Sequence, residues 1–213
     1  MHQSSFHMIA RFRELVDKHF SGRPLLVLDV GSYGVNGTYK EIFADTTRYT
    51  YTGLDVNPGP NVDYVPADPY RWPELADESF DVIVSGQAFE HIEYPWLIIE
   101  EMSRVLRKNG LICIVAPSRG PEHKYPVDCW RYYPDGFRAL AKWAHLDVIE
   151  SKTNWGKSGF TDGSDQWGDT FCVLTKSATL HIDSNQKRKS RPVLRAVNYN
   201  NPLTPQKQDS YYG

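Results

Sequence analysis

Continuous apolar runs, each closed by a turn signal, recur along the chain and predict buried strands. Residues 25–30 (LLVLDV) run without polar alternation into Gly31, a pattern typical of a strand buried on both faces of a sheet. Similar runs, and short segments rich in β-branched and aromatic residues, predict further strands at 49–55, 63–65, 80–84, 111–116, 146–151 and 170–175. The pattern therefore predicts a seven-stranded sheet.

Helical periodicity fills the segments between most of these strands. Apolar residues recur at helical spacing over 5–20. A second helix is predicted from Pro95 to the Asn-Gly pair at 109–110, because a basic last turn and that pair favour its end. A third helix is predicted over 133–143, and a short one from about 36–38 onward.

Strands that alternate with helices predict an α/β fold, with a doubly wound, mostly parallel sheet and helices on both faces. Only a loop joins the last two strands, which predicts an antiparallel hairpin at one edge. After Lys176 the chain turns polar, so we predict one domain over 1–176 and a polar extension over 177–213. The basic run at 185–191 is predicted to be solvated, with contact to an anionic surface as the alternative.

Composition and charge restrict the classes of protein to which this chain could belong. The 213 residues are 40% hydrophobic and 23% charged, which suits a folded domain. The net charge of −2 argues against a nucleic-acid partner. We expect no membrane partner and a cytoplasmic location, because no apolar run reaches the roughly 20 residues of a membrane helix and the N-terminus lacks a leader pattern. The three cysteines lack CxxC spacing, which argues against a disulfide framework or a zinc site.

Asp29 and Gly31 stand at the end of the first predicted strand. Ligands of open α/β sheets bind beyond the carboxyl ends of the strands, and glycine lets the backbone approach a ligand without a Cβ in the way. A carboxylate repels a pyrophosphate but accepts hydrogen bonds from an ammonium group. The acid therefore favours S-adenosylmethionine, which carries an ammonium and a sulfonium and no phosphate, over NAD. Turn glycines that bind no ligand are the alternative.

The glycine spacing of this loop differs from a dinucleotide-binding fingerprint. The glycines are Gly31, Gly34 and Gly37, whereas G-x-G-x-x-G requires glycine at the position of Tyr33, where it clears the pyrophosphate. Tyr33 weakens the NAD interpretation without excluding it. An NAD-dependent oxidoreductase or epimerase therefore stays open as an alternative.

Two further acids end the next predicted strands. Asp55 follows the second strand, at the usual position of an acid that binds both hydroxyls of a ribose. Asp68 follows the third strand and could accept a hydrogen bond from an adenine amino group. The alternatives are a turn cap for Asp55 and an Asx-turn for Asp68, which Asp-Pro sequences favour. Three acids at three successive strand ends together indicate a nucleoside-bearing ligand.

The segments FDVIVSGQAFEHI at 80–92 and EEMSRVLRKNGL at 100–111 resemble the type 11 methyltransferase domain family, and the resemblance covers about 22–152. It implies a Rossmann-like methyltransferase sandwich that uses S-adenosylmethionine. It also implies that Asp29, Gly31 and Ser32 line the methionine end of the cofactor, with Asp55 at the ribose and Asp68 by the adenine. It further implies that Gly86, Gln87 and His91 face the site. We predict that Gly86 and Gln87 bind the cofactor together with Tyr33 and Val56. The chain departs from the family's D-x-G-x-G-x-G at Tyr33 and Val35.

The segment after the fifth predicted strand, 117–136, contains PVDCWRYYP. It resembles the P-x-D-x-W-R-x-x-P segment of several poorly characterised bacterial methyltransferases, some of them associated with cell-surface glycans. Trp130 offers a flat apolar face to a sugar ring or another planar group, and Arg131 could pair with a carboxylate or phosphate of a substrate. The alternative is an internal ion pair between Asp128 and Arg131 that holds the loop closed.

Methyl transfer to a hydroxyl requires a base, and His91, His123 and Asp128 are the candidate catalytic residues. A histidine has an ordinary pKa near working pH, yet His91 could instead orient a helix start and His123 could be a solvated loop residue. A metal triad of these three residues is an alternative, but no ligand spacing supports it and we predict no metal site. The sequence thus predicts O-methylation of a small-molecule or glycan acceptor. A non-catalytic cofactor-binding module and a homodimer stay open.

Overall fold

The computed structural model describes residues 2–156 and 159–177. These residues lie in one compact unit, Met1–His181. The predicted polar extension, apart from Ser177, lies outside the described residues, as does its basic run.

A six-stranded sheet forms the centre of the described chain, in the order β2-β1-β3-β4-β6-β5. The first four strands of that order run parallel to one another, whereas β6 is antiparallel to both β4 and β5. The predicted mostly parallel sheet and edge hairpin are therefore confirmed. The strand bounds are Leu25–Val30 for β1, Tyr49–Leu54 for β2, Phe80–Gly86 for β3, Leu106–Ala116 for β4, Asp147–Thr153 for β5 and Thr170–Thr175 for β6.

The prediction of a seventh strand at 63–65 is wrong. Tyr64 forms only an isolated bridge with Leu54. The backbone N–H groups of Asp63 and Tyr64 both donate to the carbonyl of Gly53, and the Asp63 carboxylate accepts from the Gly53 N–H at 2.8 Å. A side chain that takes one of the ladder positions ends the pairing after a single residue, so this segment is a turn.

Within residues 2–156 and 159–177, three α-helices flank the sheet: α1 at Gln3–His19, α2 at Pro95–Val105 and α3 at Pro134–Trp143. Short 3-10 turns lie at Tyr39–Phe43, Phe89–His91 and Ser164–Trp167. Helix α2 ends before the predicted Asn-Gly stop, because the chain turns extended at Leu106 and begins to pair with β3. Asn109, at φ 60°, donates its N–H to the carbonyl of Lys176 at 2.7 Å, so the Asn-Gly pair bends a strand instead of capping a helix.

Alternate residues of the central strands face two separate apolar layers. Val27 and Val82 pack with α1 on one face, whereas Leu28 and Ile83 pack with α2 and α3 on the other. Helices on both faces of the sheet are thus confirmed. Among the helices that the structure describes, none combines the length and the apolar character of a membrane-spanning segment.

Candidate functional site

The turn after β1 touches the segment after β3. Gly31 has φ +83°, and a Cβ added to it would lie 2.4 Å from the Cβ of Ala88. This approach is possible only for a residue without a side chain. Because both turns lie at the carboxyl ends of parallel strands, the loops after β1, β2 and β3 meet at one edge of the sheet, as the sequence predicts.

Asp29 is buried at this edge, with 1% of its surface exposed. One carboxylate oxygen, Oδ2, accepts a hydrogen bond from the Tyr51 hydroxyl. The other, Oδ1, has no hydrogen-bond partner among the described residues. Burial raises the pKa of Asp29 to about 7, against the lowering effect of the Tyr51 hydroxyl. A buried carboxylate with an unused acceptor fits a cationic ligand group such as an ammonium.

Ser32 and Gln87 supply further unpaired buried atoms. Within the described ranges, Ser32 Oγ and Gln87 Oε1 have no hydrogen-bond partner. Gln87 follows β3 at φ 56°, and its Nε2 donates to Asp169 Oδ1 at 3.0 Å. Buried polar atoms are normally paired, so these orphans at predicted cofactor positions fit the amino-acid end of S-adenosylmethionine.

Asp55 holds the turns after β1 and β2 together. Its carboxylate accepts from the backbone N–H of Tyr33 at 3.1 Å and from that of Asn57 at 3.0 Å. A carboxylate offers about four acceptor positions, so two remain for ribose hydroxyls. Val56 beside it is half exposed, and the Tyr33 ring packs on Gly59, where an added Cβ would lie 2.2 Å from Tyr33 Cε2. A large side chain is therefore accommodated at position 33, where the motif has glycine, because the Tyr33 ring packs on the neighbouring turn at Gly59.

Asp68 adopts the Asx-turn that was the alternative for it. Its Oδ1 accepts from the Tyr70 N–H at 2.9 Å, and its carbonyl accepts from the Arg71 N–H at 3.1 Å. Its contact with an adenine stays a prediction.

His91 and His123, which are 32 positions apart in the chain, come together in space. Their ring centroids lie 4.9 Å apart in an edge-to-face arrangement. His91 Nδ1 lies 2.6 Å from the carbonyl oxygen of Val127. A carbonyl only accepts, so Nδ1 carries the proton and Nε2 keeps its lone pair. Burial lowers the pKa of His91, which favours this neutral form.

Glu90 joins the two histidines and was missed by sequence reasoning. It is 0% exposed, and neither carboxylate oxygen has a hydrogen-bond partner in the described chain. Its Oε1 lies 3.7 Å from His91 Nε2, and burial raises its pKa to about 8. The available signal was its position in Phe89–His91, inside the segment that carries the family resemblance. An acid beside a histidine is common on surfaces, so the spacing alone did not indicate that it is buried.

Asp128 and Arg131 form the internal ion pair that was the alternative for this loop. Arg131 Nη1 and Nη2 donate to the two carboxylate oxygens at 2.6 and 2.8 Å. The same guanidinium donates to the carbonyls of Trp130 and Pro121, so its four terminal N–H groups all have partners inside the loop. Pairing with Arg131 lowers the pKa of Asp128 to about 2, which makes Asp128 a weak base. We assign this pair to holding the loop closed.

Trp130 presents an aromatic face at the surface of the same loop. Its indole N–H donates to the carbonyl of Ile92 at 2.9 Å, and 39% of the residue is exposed. The backbone N–H groups of Cys129 and Trp130 both donate to the carbonyl of Glu90. These bonds fix the loop after β4 against the segment after β3, and the exposed part of the Trp130 ring can contact a planar group.

Two other residues of the site also escaped sequence reasoning. Tyr51, in β2, is the partner of Asp29, and Asp169, just before β6, is bonded by Gln87 and by the Ser4 hydroxyl at the start of α1. Burial raises the pKa of Asp169. These partners lie 22 to 165 positions apart in the chain, so no local pattern could indicate them.

Two shallow cavities in the described part of the surface have volumes of about 400 and 530 Å³. One is next to Arg23 and Arg48, and the other is next to Phe43 and Tyr49. The first is lined by no candidate site residue. The second is also lined by Tyr51, the hydrogen-bond partner of Asp29. The unpaired buried atoms mark the site more directly than either cavity does.

Comparison with known proteins finds methyltransferases similar to this chain. Residues 28–114 match a protein family described as a methyltransferase domain. An uncharacterized methyltransferase from Mycobacterium ulcerans is 32% identical, and the match covers 82% of this chain and 72% of the relative. Another from Mycolicibacterium gilvum is 31% identical over 66% of this chain and 58% of the relative. The chain spans little more than half the length of several such relatives.

A solved structure shares the fold. The Burkholderia thailandensis 1,6-didemethyltoxoflavin-N1-methyltransferase, with bound 1,6-didemethyltoxoflavin and S-adenosylhomocysteine, has a TM-score of 0.60 at 16% identity. The similarity covers 82% of this chain and 80% of that one. Likeness at this level of identity shows the architecture, a Rossmann-like sheet with helices on both faces.

Proposed function

Because this chain belongs to the methyltransferase family, we propose that it transfers a methyl group from S-adenosylmethionine to an oxygen of a small-molecule or glycan acceptor. The observation that carries the proposal is the buried carboxylate of Asp29 at the end of β1, with its unpaired Oδ1. When bound, S-adenosylmethionine supplies the methyl group on a sulfonium centre.

The chain's own residues divide the work of holding this cofactor. Asp29 Oδ1 accepts a hydrogen bond from the ammonium group of the cofactor. Ser32 Oγ and Gln87 Oε1 form hydrogen bonds with the same amino-acid end of the cofactor. Asp55 accepts from the ribose hydroxyls with its remaining acceptor positions. Gly31 keeps the turn free of a side chain, which would otherwise meet Ala88.

The acceptor side is formed by the segment after β3 and the loop after β4. The exposed ring of Trp130 supplies an apolar face for a sugar or another planar acceptor. The Burkholderia enzyme of similar fold binds 1,6-didemethyltoxoflavin, which by analogy favours a small molecule. Arg131 acts indirectly, because its terminal N–H groups are used to close the loop.

A hydroxyl acceptor has to lose its proton, and His91 and His123 are the groups that assist this loss. His91 is fixed by its Nδ1–H bond to Val127, which leaves the Nε2 lone pair for a proton or a cation. Asp128 contributes by orienting the loop, since its carboxylate accepts from the His123 N–H at 2.7 Å as well as from Arg131.

Methyl transfer is tested by incubating the purified chain and a cell extract with cofactor that carries an isotopically labelled methyl group. Mass spectrometry should find label in a product of low molecular mass or in a glycan, and the Asp29→Asn variant should incorporate much less. Cofactor binding without transfer to any component of the extract would contradict the proposal and favour a non-catalytic binding module.

Asp55→Ala is expected to weaken S-adenosylhomocysteine binding by roughly 10- to 100-fold. The physical reason is the loss of hydrogen bonds to a charged group, worth about 1.5–3 kcal/mol. Isothermal titration calorimetry measures the change. Asp45→Ala is the matched control, because Asp45 is exposed and its carboxylate accepts hydrogen bonds from the N–H and the hydroxyl of Thr47 in its own turn, away from the cofactor loops. Equal affinity in the Asp55 and Asp45 variants would refute the ribose assignment.

A further inference from the structure

Glu90, His91 and His123 form a compact group of potential metal ligands. One carboxylate oxygen and one ring nitrogen from each histidine lie within 4.8 Å of one another. Two ligands bound at about 2.0–2.1 Å to a tetrahedral ion lie about 3.4 Å apart, and Glu90 Oε1 lies 3.7 Å from His91 Nε2. Small side-chain movements would therefore bring all three atoms onto one ion.

The carboxylate of Glu90 supplies independent evidence for a cation. The residue is fully buried, and among the residues that the structure describes both of its oxygens lack a hydrogen-bond donor. A buried carboxyl group without a partner is unfavourable, and its ionised form is strongly so unless a cation lies beside it. A buried carboxylate is normally paired or bound to a metal, and here His91 Nε2 lies 3.7 Å from Glu90 Oε1.

The surroundings of the two imidazoles resemble the outer shell of a metal site. The Val127 carbonyl accepts from Nδ1 of His91 and leaves Nε2 unprotonated. Asp128 Oδ2 lies 3.4 Å from Nδ1 of His123 and also accepts the backbone N–H of that residue. Carbonyls and carboxylates in these positions orient ligating histidines in metalloproteins.

We propose that Glu90, His91 and His123 bind a divalent first-row metal ion, with zinc as the best match to two imidazoles and one carboxylate. Three protein ligands leave an open coordination position, as in catalytic zinc sites. The proposal departs from the expectation of no metal site. It also differs from the alternative triad of His91, His123 and Asp128, because Asp128 is engaged by Arg131 and Glu90 takes its place.

The position of these three residues indicates what a bound metal ion would do. Glu90 and His91 follow Ala88, which contacts the Gly31 turn, so the metal lies on the acceptor side of the cofactor loop. An acceptor hydroxyl bound at the open position would have its pKa lowered by the ion and would release its proton to solvent water, since the two imidazoles would then be ligands and not bases. This use rests on the proposed function, whereas the metal site itself stands on geometry alone.

Zinc binding is measured by calorimetry on the full chain after treatment with a chelator and dialysis. We expect one ion per chain. We also expect affinity to fall more than about 100-fold in His123→Ala and in Glu90→Gln, beyond the 10- to 100-fold typical of losing an outer-shell partner. His7→Ala is the matched control, because His7 is an exposed histidine of α1 outside the group. Circular dichroism and retained S-adenosylhomocysteine binding show that each variant is folded.

The metal site would be overturned by no zinc binding in the wild-type chain, by equal loss in His7→Ala, or by full binding in either Glu90→Gln or His123→Ala. Loss in Cys129→Ser without loss in Glu90→Gln would also overturn it, because the ion would then sit on the exposed thiol. Failure of the proposed function has a different signature, namely absent S-adenosylhomocysteine binding with zinc binding intact.

Discussion

Gly31→Ala is expected to destabilise the folded chain by roughly 2–5 kcal/mol. A residue with a side chain at a left-handed φ costs about 1–2 kcal/mol, and φ at this position is +83°. Overpacking adds typically about 1–3 kcal/mol, because the new Cβ would lie 2.4 Å from that of Ala88. Urea unfolding measures the change. The variant should also bind S-adenosylhomocysteine poorly, since relief of the contact displaces the cofactor turn.

Gly22→Ala separates the cost of the left-handed backbone conformation from the cost of overpacking. Gly22 has nearly the same φ, +79°, but no atom lies within 4 Å of its added Cβ, so only the backbone cost of about 1–2 kcal/mol is expected. Ala88→Gly in the Gly31→Ala background should recover the difference. If Gly31→Ala and Gly22→Ala cost the same, the close approach of the two turns is not present.

Asp29→Asn is expected to stabilise the cofactor-free chain at pH 8 and to weaken cofactor binding. Burial raises the pKa of Asp29 from 3.8 to about 7, so the folded chain retains a proton that the unfolded chain has lost between these values. The contribution of this group to the free energy of unfolding therefore falls as pH rises from about 4 to 7, by up to about 4 kcal/mol. Asparagine does not ionise, so the free energy of unfolding of the variant does not fall in this way as the pH rises.

Denaturant unfolding at pH 4 and pH 8 measures the effect. The difference between Asp29→Asn and the wild type should be small at pH 4 and favour the variant at pH 8. Asp45→Asn should show the opposite sign, because hydrogen bonds from Thr47 lower the pKa of Asp45. A stability difference for Asp29→Asn that is the same at both pH values would contradict a raised pKa.

The same substitution should reduce S-adenosylhomocysteine affinity by roughly 10- to 100-fold, because a charge-assisted bond to the ammonium is worth about 1.5–3 kcal/mol. A residue whose replacement improves stability and impairs binding is typical of a functional site. Asp45→Asn should leave the affinity unchanged.

Local pattern predicted much of the fold. Strands β1 and β6 begin and end at the predicted residues 25–30 and 170–175, because each is an apolar run closed by clear turn signals. The prediction failed where a distant partner decides the local structure. Residues 63–65 end as a turn because the Asp63 side chain bonds Gly53, and 106–110 joins a strand because β3 and Lys176 pair with it.

The candidate site also contains residues that the local sequence could predict and residues that it could not. The acids at strand ends could be predicted, because the carboxyl ends of parallel strands share one edge whatever the details of packing. The partners that set their chemistry could not be predicted, since Tyr51 reaches the site from β2 and Asp169 from the segment before β6, and neither belongs to a motif. Glu90 was overlooked because burial, and not residue type, distinguishes it from a surface acid.

Titration of S-adenosylhomocysteine into the purified chain by calorimetry tests the central claim most directly. The account predicts saturable binding of one molecule per chain, weakened in Asp29→Asn and Asp55→Ala and unchanged in Asp45→Asn. Absence of binding at millimolar concentration, or equal affinity in all three variants, would contradict it.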